Sequence, residues 1–247
     1  AAQYETPFEY VKKHVRPVRS KNRRMAYAEK WWQYAEARPG MRAALLGKSR
    51  FIATPRVSKH RIFVWLKPEV LANDGTIVFA RDDDFSFGVL HSKIHELWAR
   101  GTGTQLREAE SGFRYTPTST FETFPFPRPT AKQKKAIAEA ARELNEKRES
   151  WLNPYKDQPA AIREDLKKRT LTNLYNERPT WLHLAHEKLD RAVLDAYGWP
   201  GDLSDDGILA RLLAENLRRE PAKTSKVSEG DEEAEEEATK PKKRKKK

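Results

Sequence analysis

The chain has 247 residues, no cysteine, and 48 Lys and Arg against 36 Asp and Glu, for a formal net charge of +12. Without cysteine, disulfide scaffolds, thiolate zinc sites, iron–sulfur clusters and a cysteine nucleophile are excluded. No run of about 18 apolar residues occurs, so the sequence predicts neither a membrane span nor a membrane partner.

The positive charge is concentrated near the start of the chain. Residues 1–70 contain 16 Lys or Arg but five Asp or Glu. Such a localised excess favours a polyanionic partner, because Lys and Arg that bind phosphates release counterions. A basic surface that is merely solvated would have the same composition, so charge alone leaves that alternative open.

The first 49 residues predict helices. Thr6-Pro7-Phe8-Glu9 has the pattern of a helix start, with Thr6 as the cap and Glu9 completing a capping box. A second helix is predicted over Met25–Glu36, with a short third one from Pro39 to near Gly47.

The pattern changes to strands from Arg50 onward. Runs of β-branched and aromatic residues predict strands at 51–54, 60–66, 76–80, 113–116 and 121–124. Between the third and fourth of these runs, apolar residues recur at helical spacing over Phe87–Arg100. A small mixed or antiparallel sheet with flanking helices is therefore expected.

Beyond the prolines at 125, 127 and 129 the chain is predicted to be all-helical. Helices are expected from Thr130 to near Leu152 and at 160–169, 180–197 and 204–219. From Pro221 an acidic block and then a Lys-rich block lack core-forming residues, which predicts a disordered charged tail. The fold class is thus predicted as α+β followed by an all-α domain, with boundaries at 1–49, 50–129, 130–220 and 221–247.

Within the tail, Pro241–Lys247 has the pattern of a nuclear import signal, with a plain basic arm as the alternative.

Two histidine pairs and one carboxylate run could suggest a metal site. His91 and His95 are four residues apart on a predicted helix, but the order differs from H-E-x-x-H and no third ligand is evident; His183 and His186 form a weaker pair. The run Asp82–Asp84 could hold Mg²⁺, although Asp84 more simply caps the following helix. We therefore predict no metal site, and a metal-dependent enzyme remains the weakest of the alternatives.

Motifs for nucleotides and catalysis are missing from the sequence. It contains no G-x-G-x-x-G, no Walker loop and no G-x-S-x-G. Asn153-Pro154-Tyr155 lacks the second proline of the Asn-Pro-Pro-aromatic loop of amino-methyltransferases and is interpreted as a turn. No cofactor is therefore expected in this chain, and no catalytic residue is assigned.

The strongest positive signal is a basic segment between two predicted strands. Residues 54–61 read TPRVSKHR and offer Arg56, Lys59 and Arg61 together with His60. A basic loop carried by a sheet can follow DNA phosphates while neighbouring loops reach the base edges. A basic hairpin without a partner is the alternative.

Several long motifs resemble a known family. They are FIATPRVSKHRIFVWL at 51–66, FGVLHS at 87–92, RYTP at 114–117, FETFPFP at 121–127, RTLTNLYN at 169–176 and LDRAVLDAYGWP at 189–200. In this order they resemble the C-terminal part of MmeI-like adenine-specific DNA methyltransferases, the type IIL restriction-modification enzymes. The resemblance extends from about Thr6 to Arg219.

The resemblance implies a target recognition domain that selects a short duplex DNA sequence. In this family the catalytic part uses S-adenosylmethionine to methylate an adenine flipped from the duplex. We expect this chain to be a C-terminal fragment or a separately encoded piece, which works with a methyltransferase domain in cis or in trans. A prokaryotic, cytoplasmic, nucleoid-associated protein of restriction-modification or phage defence follows from the same resemblance.

The resemblance also implies that the segment Thr102–Gly112 reads bases. There Arg107 suits guanine and Glu108 suits cytosine, with Glu110 nearby, although an exposed, ion-paired loop is the alternative. The predicted DNA-binding set is Arg56, Lys59, His60, Arg61, Arg107, Glu108 and Arg114. The rival hypothesis from another class is a basic DNA-binding protein that acts alone, has no enzymatic role and has no sequence preference.

Overall fold

The computed structural model describes residues 3–33, 38–105, 112–154 and 165–219. The chain divides into two compact units. The first comprises Ala1–Thr54 and Val64–Asp82, and the second comprises Pro55–Phe63 and Asp83–Lys247. The predicted boundaries at residues 49, 129 and 220 stay predictions, and the tail from Pro221 lies outside the described residues.

The helices account for most of the regular structure in the described residues. They are α1 Glu5–His14, α2 Arg16–Arg19, α3 Met25–Glu29, α4 Pro39–Leu45, α5 Asp84–His91, α6 Lys93–Thr102, α7 Pro117–Thr120, α8 Ala131–Leu152, α9 Leu171–Glu177, α10 Thr180–Tyr197 and α11 Asp205–Arg218. None of the helices in the described ranges is long and apolar enough to cross a membrane.

The strands form two small sheets. They are β1 Phe51–Pro55, β2 Val57–Ser58, β3 Val64–Leu66, β4 Thr76–Phe79, β5 Thr104–Gln105 and β6 Phe113–Arg114. One sheet has the order β3-β1-β4 and the other has the order β2-β6-β5. The pairs β1–β3, β2–β6 and β5–β6 are antiparallel, which confirms the predicted α+β class with small sheets.

The first unit packs its sheet against α4. Phe51 and Ala53 of β1 are buried with Leu45, because alternate strand residues point to the same face. In β1–β3, Phe51 lies opposite Leu66 and Ala53 lies opposite Val64. This unit begins with α1 to α3, two of which differ from their predicted bounds.

Two predictions for these early helices are wrong. The helix α1 begins at Glu5 after an N-cap at Tyr4 that makes no side-chain hydrogen bond, so Thr6 lies inside the helix and no capping box forms. The helix α3 ends at Glu29 rather than Glu36, and residues 30–33 form turns. Residues 34–37 lie outside the described part of the chain.

The core of the second unit is built by α5, α8 and α10. A Cβ on Gly88 of α5 would lie 2.8 Å from Ile137, 2.9 Å from Ala141 and 3.2 Å from Leu189. The absent side chain therefore lets three helices approach closely. The predicted helices at 180–197 and 204–219 are confirmed, as is the one ending at Leu152, which Thr130 and Gln133 begin with a capping box.

Three predictions for the central region are corrected. The helix predicted over Phe87–Arg100 is two helices, because Ser92 has extended backbone and its hydroxyl caps α6 by accepting the N–H of His95. In the predicted strand 60–66, regular pairing begins only at Val64. Residues 121–124 form no strand, since the N–H of Phe121 donates to the carbonyl of Pro117 in a local turn.

Candidate nucleic-acid interface

The sheet β2-β6-β5 brings together the two segments that the sequence singled out. Val57 and Thr104 both lie opposite Arg114 of β6, one on each side. The N–H of Tyr115 donates to the carbonyl oxygen of Arg56 at 2.8 Å. The basic segment is thus hydrogen-bonded to the strand that ends the 102–112 segment, across a separation of more than 40 residues in sequence.

A glycine allows β6 to lie close to β2. Gly112 has φ +81, in the left-handed region that non-glycine residues rarely adopt, and a Cβ there would lie 2.0 Å from the carbonyl oxygen of Ser58. β6 can therefore approach β2 only with glycine at this position. Arg107, Glu108 and Glu110 lie outside the described residues, so their predicted base contacts stay predictions.

Arg61 lies inside the second unit. Its side chain donates to the carbonyl oxygen of Pro55 and, at 2.9 Å, to that of Phe113. The guanidinium also lies over the rings of Phe113 and Tyr115, at 4.6 and 5.1 Å from their centroids. Burial lowers the pKa of Arg61 to about 10, so the group stays charged at neutral pH while it joins the basic segment to β6.

Lys59 and His60 lie nearer the surface and share one partner. Lys59 Nζ and His60 Nε2–H both donate to Oδ1 of Asn176 on α9, at 3.1 and 2.8 Å. Lys59 is exposed, whereas Arg56, His60 and Arg114 are half-buried. The structure therefore gathers five of the seven predicted residues at one small sheet, with Arg61 in its interior.

A buried polar network joins four helices of the second unit. Arg148 is 1% exposed and donates to Nε2 of His91 at 3.0 Å and to the carbonyl oxygen of Phe63 at 3.0 Å. The hydroxyl of Tyr175 lies 3.0 Å from Nε2 of His91 and 3.0 Å from Nε2 of His186. The network ties α5, α8, α9 and α10 to the chain just before β3.

The histidines are held neutral by their surroundings. Burial, with Arg148 and His186 as further causes, lowers the pKa of His91 well below its usual value. Burial lowers the pKa of His95, which lies 2.9 Å from the hydroxyl of Tyr115, to about 3. Burial likewise lowers the pKa of His186 to about 3. In both His91 and His95, Nε2 lies within hydrogen-bond distance of a protein group.

The carboxylate run at 82–84 is also engaged by protein groups. Asp83, rather than Asp84 as predicted, caps α5 by accepting the N–H of Ser86 at 2.8 Å. Asp84 pairs with Arg142 at 3.0 Å, and Asp82 pairs with Lys48 at 3.5 Å. Within the described ranges, no group of three or more His, Asp or Glu could hold a metal ion.

A cavity of about 250 Å³ opens beside the basic segment. Its lining carries both signs of charge and is made by His60, Arg61, His91, Lys93, Glu96, Arg100, Tyr175, Arg178, His186 and Asp190. Burial raises the pKa of the Asp190 carboxyl to about 6, although it accepts the N–H of Lys93 at 2.7 Å. Sequence reasoning missed Asn176 and Asp190, because their partners are distant in sequence and leave no local pattern. It also missed Arg178, whose place in the cavity wall depends on the fold.

Comparison with known proteins gives one family and two relatives. Residues 4–128 match the family model described as MmeI, target recognition domain. The chain is 30% identical over 171 residues to DNA methyltransferase A of Bacillus subtilis (strain 168), covering 66% of this chain and 17% of that protein. A solved structure of the type IIL restriction-modification enzyme MmeI in complex with DNA is similar with a TM-score of 0.66 and 25% identity, covering 86% of this chain and 26% of that one.

Proposed function

Because this chain belongs to the MmeI target recognition domain family, we propose that it is the part of a site-specific DNA methyltransferase that binds duplex DNA and selects the sequence. The chain spans 17% of the bacterial methyltransferase and 26% of the MmeI chain, so the activity of a whole enzyme is part of the proposal. The solved relative was determined in complex with DNA, which supports duplex DNA as the partner.

The observation that carries the proposal is the antiparallel sheet β2-β6-β5. It holds the basic segment at 56–61 and both ends of the segment 106–111 within one structural element. A module that reads DNA needs cations for the phosphates and a loop for the base edges at fixed relative positions. This sheet supplies such a frame.

We assign different roles to the seven DNA-binding residues. Arg56, Lys59, His60 and Arg114 contact the DNA backbone from the sheet, while Arg107 and Glu108 read guanine and cytosine. Arg61 contributes by holding the basic segment against β6, because its donors are directed to backbone carbonyls inside the unit.

The chemistry of methyl transfer is assigned to a catalytic domain in cis or in trans. That domain would bind S-adenosylmethionine and methylate the N6 amine of adenine, within restriction-modification or phage defence. The sequence of this chain has neither a glycine-rich cofactor motif nor an Asn/Asp-Pro-Pro-aromatic motif, so its own residues do not fit the cofactor.

Selection from a random duplex library tests the proposal. The 247-residue chain is expected to enrich one short sequence, and Arg107→Ala and Glu108→Ala should each relax the preference at one position, at a cost of about 1–3 kcal/mol in discrimination. Lys59→Ala should instead weaken binding to all sequences. Enrichment of no sequence would leave the rival hypothesis, a basic DNA-binding protein that acts alone.

A further inference from the structure

The cavity beside the basic segment contains more cations than anions. Four of its lining residues are Arg or Lys, namely Arg61, Lys93, Arg100 and Arg178, and two are acidic, namely Glu96 and Asp190. The lining histidines have no positive charge at neutral pH where burial lowers their pKa, as at His91 and His186. The wall therefore carries a net positive charge, which suits an anion.

Most of the cations already have protein partners. Arg100 donates to Glu96 at 2.6 and 2.9 Å, Lys93 pairs with Asp205 at 2.5 Å, and Arg61 donates to two carbonyl oxygens. Arg178, by contrast, makes no side-chain hydrogen bond or ion pair with any residue in the described ranges, and its charge acts only at longer range on Asp190 and His186, which also line the cavity. It is therefore the lining cation that is available to an external anion.

The backbone holds Arg178 in an unusual conformation. Its φ of 44 and ψ of 61 place it in the left-handed region, at the end of α9 and directly before Pro179. A side chain with a Cβ is strained there, and glycine or asparagine is the common residue. An arginine at this position is a local cost that packing does not explain, because the residue is exposed.

The cavity is continuous with the proposed DNA surface. His60 lines it, and both His60 and Lys59 donate to Asn176, two residues before Arg178. The end of α9 thus places Arg178 in the wall of the cavity that His60 also lines, two residues from the Asn176 that holds Lys59 and His60.

We propose that this cavity binds a phosphate of the DNA backbone, with Arg178 as its principal contact and Lys59 and His60 at its rim. The proposal rests on the proposed function and extends the DNA interface from the sheet to the helical part of the second unit. Arginine suits this role because its planar group of N–H donors matches phosphate oxygens.

The test compares the salt dependence of duplex binding in two variants. Arg178→Gly removes the side chain and suits the left-handed backbone, so it should fold normally. It is expected to weaken binding several-fold for selected and unrelated duplexes alike and to reduce the slope of log K against log salt by about 0.9. Arg178→Lys should retain the slope, because the charge is kept.

Controls separate this inference from the proposed function. Arg218→Ala removes an exposed arginine that pairs with Glu215, outside this cavity, and should leave the slope unchanged. An unchanged slope in Arg178→Gly, with intact binding by the parent chain, would overturn this inference alone, whereas failure of the parent chain to bind any duplex would overturn both. Stabilisation by free inorganic phosphate that depends on Arg178, without a change in the DNA slope, would also overturn DNA as the source of the phosphate.

Discussion

In the proposed function, Arg61 supports DNA binding without touching DNA. Its guanidinium bonds two backbone carbonyls and lies over two aromatic rings, so it joins the basic segment to the chain at β6. Arg61→Lys keeps the charge but cannot reach both carbonyls. We expect it to lower the free energy of unfolding by about 1–3 kcal/mol, since a buried acceptor loses its donor. Urea unfolding followed by circular dichroism measures the change.

Lys59→Ala is the matched comparison for Arg61→Lys. Lys59 is exposed and, among the described residues, its side chain bonds Asn176 alone, so its loss should change the free energy of unfolding by less than about 0.5 kcal/mol. It should instead reduce the slope of log K for DNA binding against log salt concentration by about 1. If Arg61→Lys proved as stable as the parent chain, the positioning role would be wrong and a direct phosphate contact would be favoured.

At the scale of elements, the approach of β6 to β2 depends on Gly112. In Gly112→Ala the new Cβ would collide with the carbonyl of Ser58 and would require a left-handed backbone as well. We expect β6 to separate from β2, which displaces the basic segment and the end of the segment 102–112 together. Library selection should then give no enriched sequence, while the helical circular dichroism signal remains because α8 and α10 lie elsewhere.

Gly198→Ala is the control that distinguishes the effect of backbone strain from the effect of a steric collision in Gly112→Ala. Gly198 also has positive φ, +69, but a Cβ there would meet nothing within 4 Å. It should cost about 1 kcal/mol of stability and leave sequence selection intact. Equal loss of selection in both variants would argue that backbone strain alone, and not the β2–β6 contact, governs recognition.

The sequence predicted the long helices well because their signals are local. Thr130 with Gln133 begins α8, and Ser204 caps α11, so capping and apolar spacing within a few residues set these bounds. It failed at Phe121–Phe124, where aromatic content favoured a strand but turn hydrogen bonds use the backbone instead. Short aromatic runs do not distinguish these outcomes, since both bury the same rings.

The candidate site was only partly predictable, for the opposite reason. The basic segment was visible as a cluster of cations, and the family motifs marked its neighbours. The burial of Arg61 and the contacts of Asn176 depend on residues more than 50 positions away in sequence. No local pattern could therefore predict them. A cluster of charged residues in the sequence therefore does not distinguish a residue that would bind DNA from a residue that holds the DNA-binding segment in place.

At the scale of the whole molecule, stability should fall as the pH decreases. Burial lowers the pKa of His95 and His186 to about 3 and that of His91 well below 6.5, so the folded chain keeps these groups neutral. The unfolded chain binds more protons below pH 6.5, so the free energy of unfolding decreases from there toward pH 3. His95 and His186 should each account for roughly 2 kcal/mol of loss between pH 7 and pH 5, and His91 should add to it in the same direction.

Asp190 acts in the opposite direction. Its pKa is raised to about 6, so the folded chain binds the additional proton and gains stability as the pH falls from about 6 to 4. Because three histidines lower the stability on acidification and one carboxyl raises it, the urea concentration at the midpoint of unfolding should still decrease from pH 7 to pH 6 and pH 5. His95→Gln should be less stable than the parent chain at pH 7 but should lose less stability on acidification, because one neutral histidine no longer resists protonation. If the variant kept the full pH dependence of the parent, the buried histidine at 95 would not be a source of the acid sensitivity.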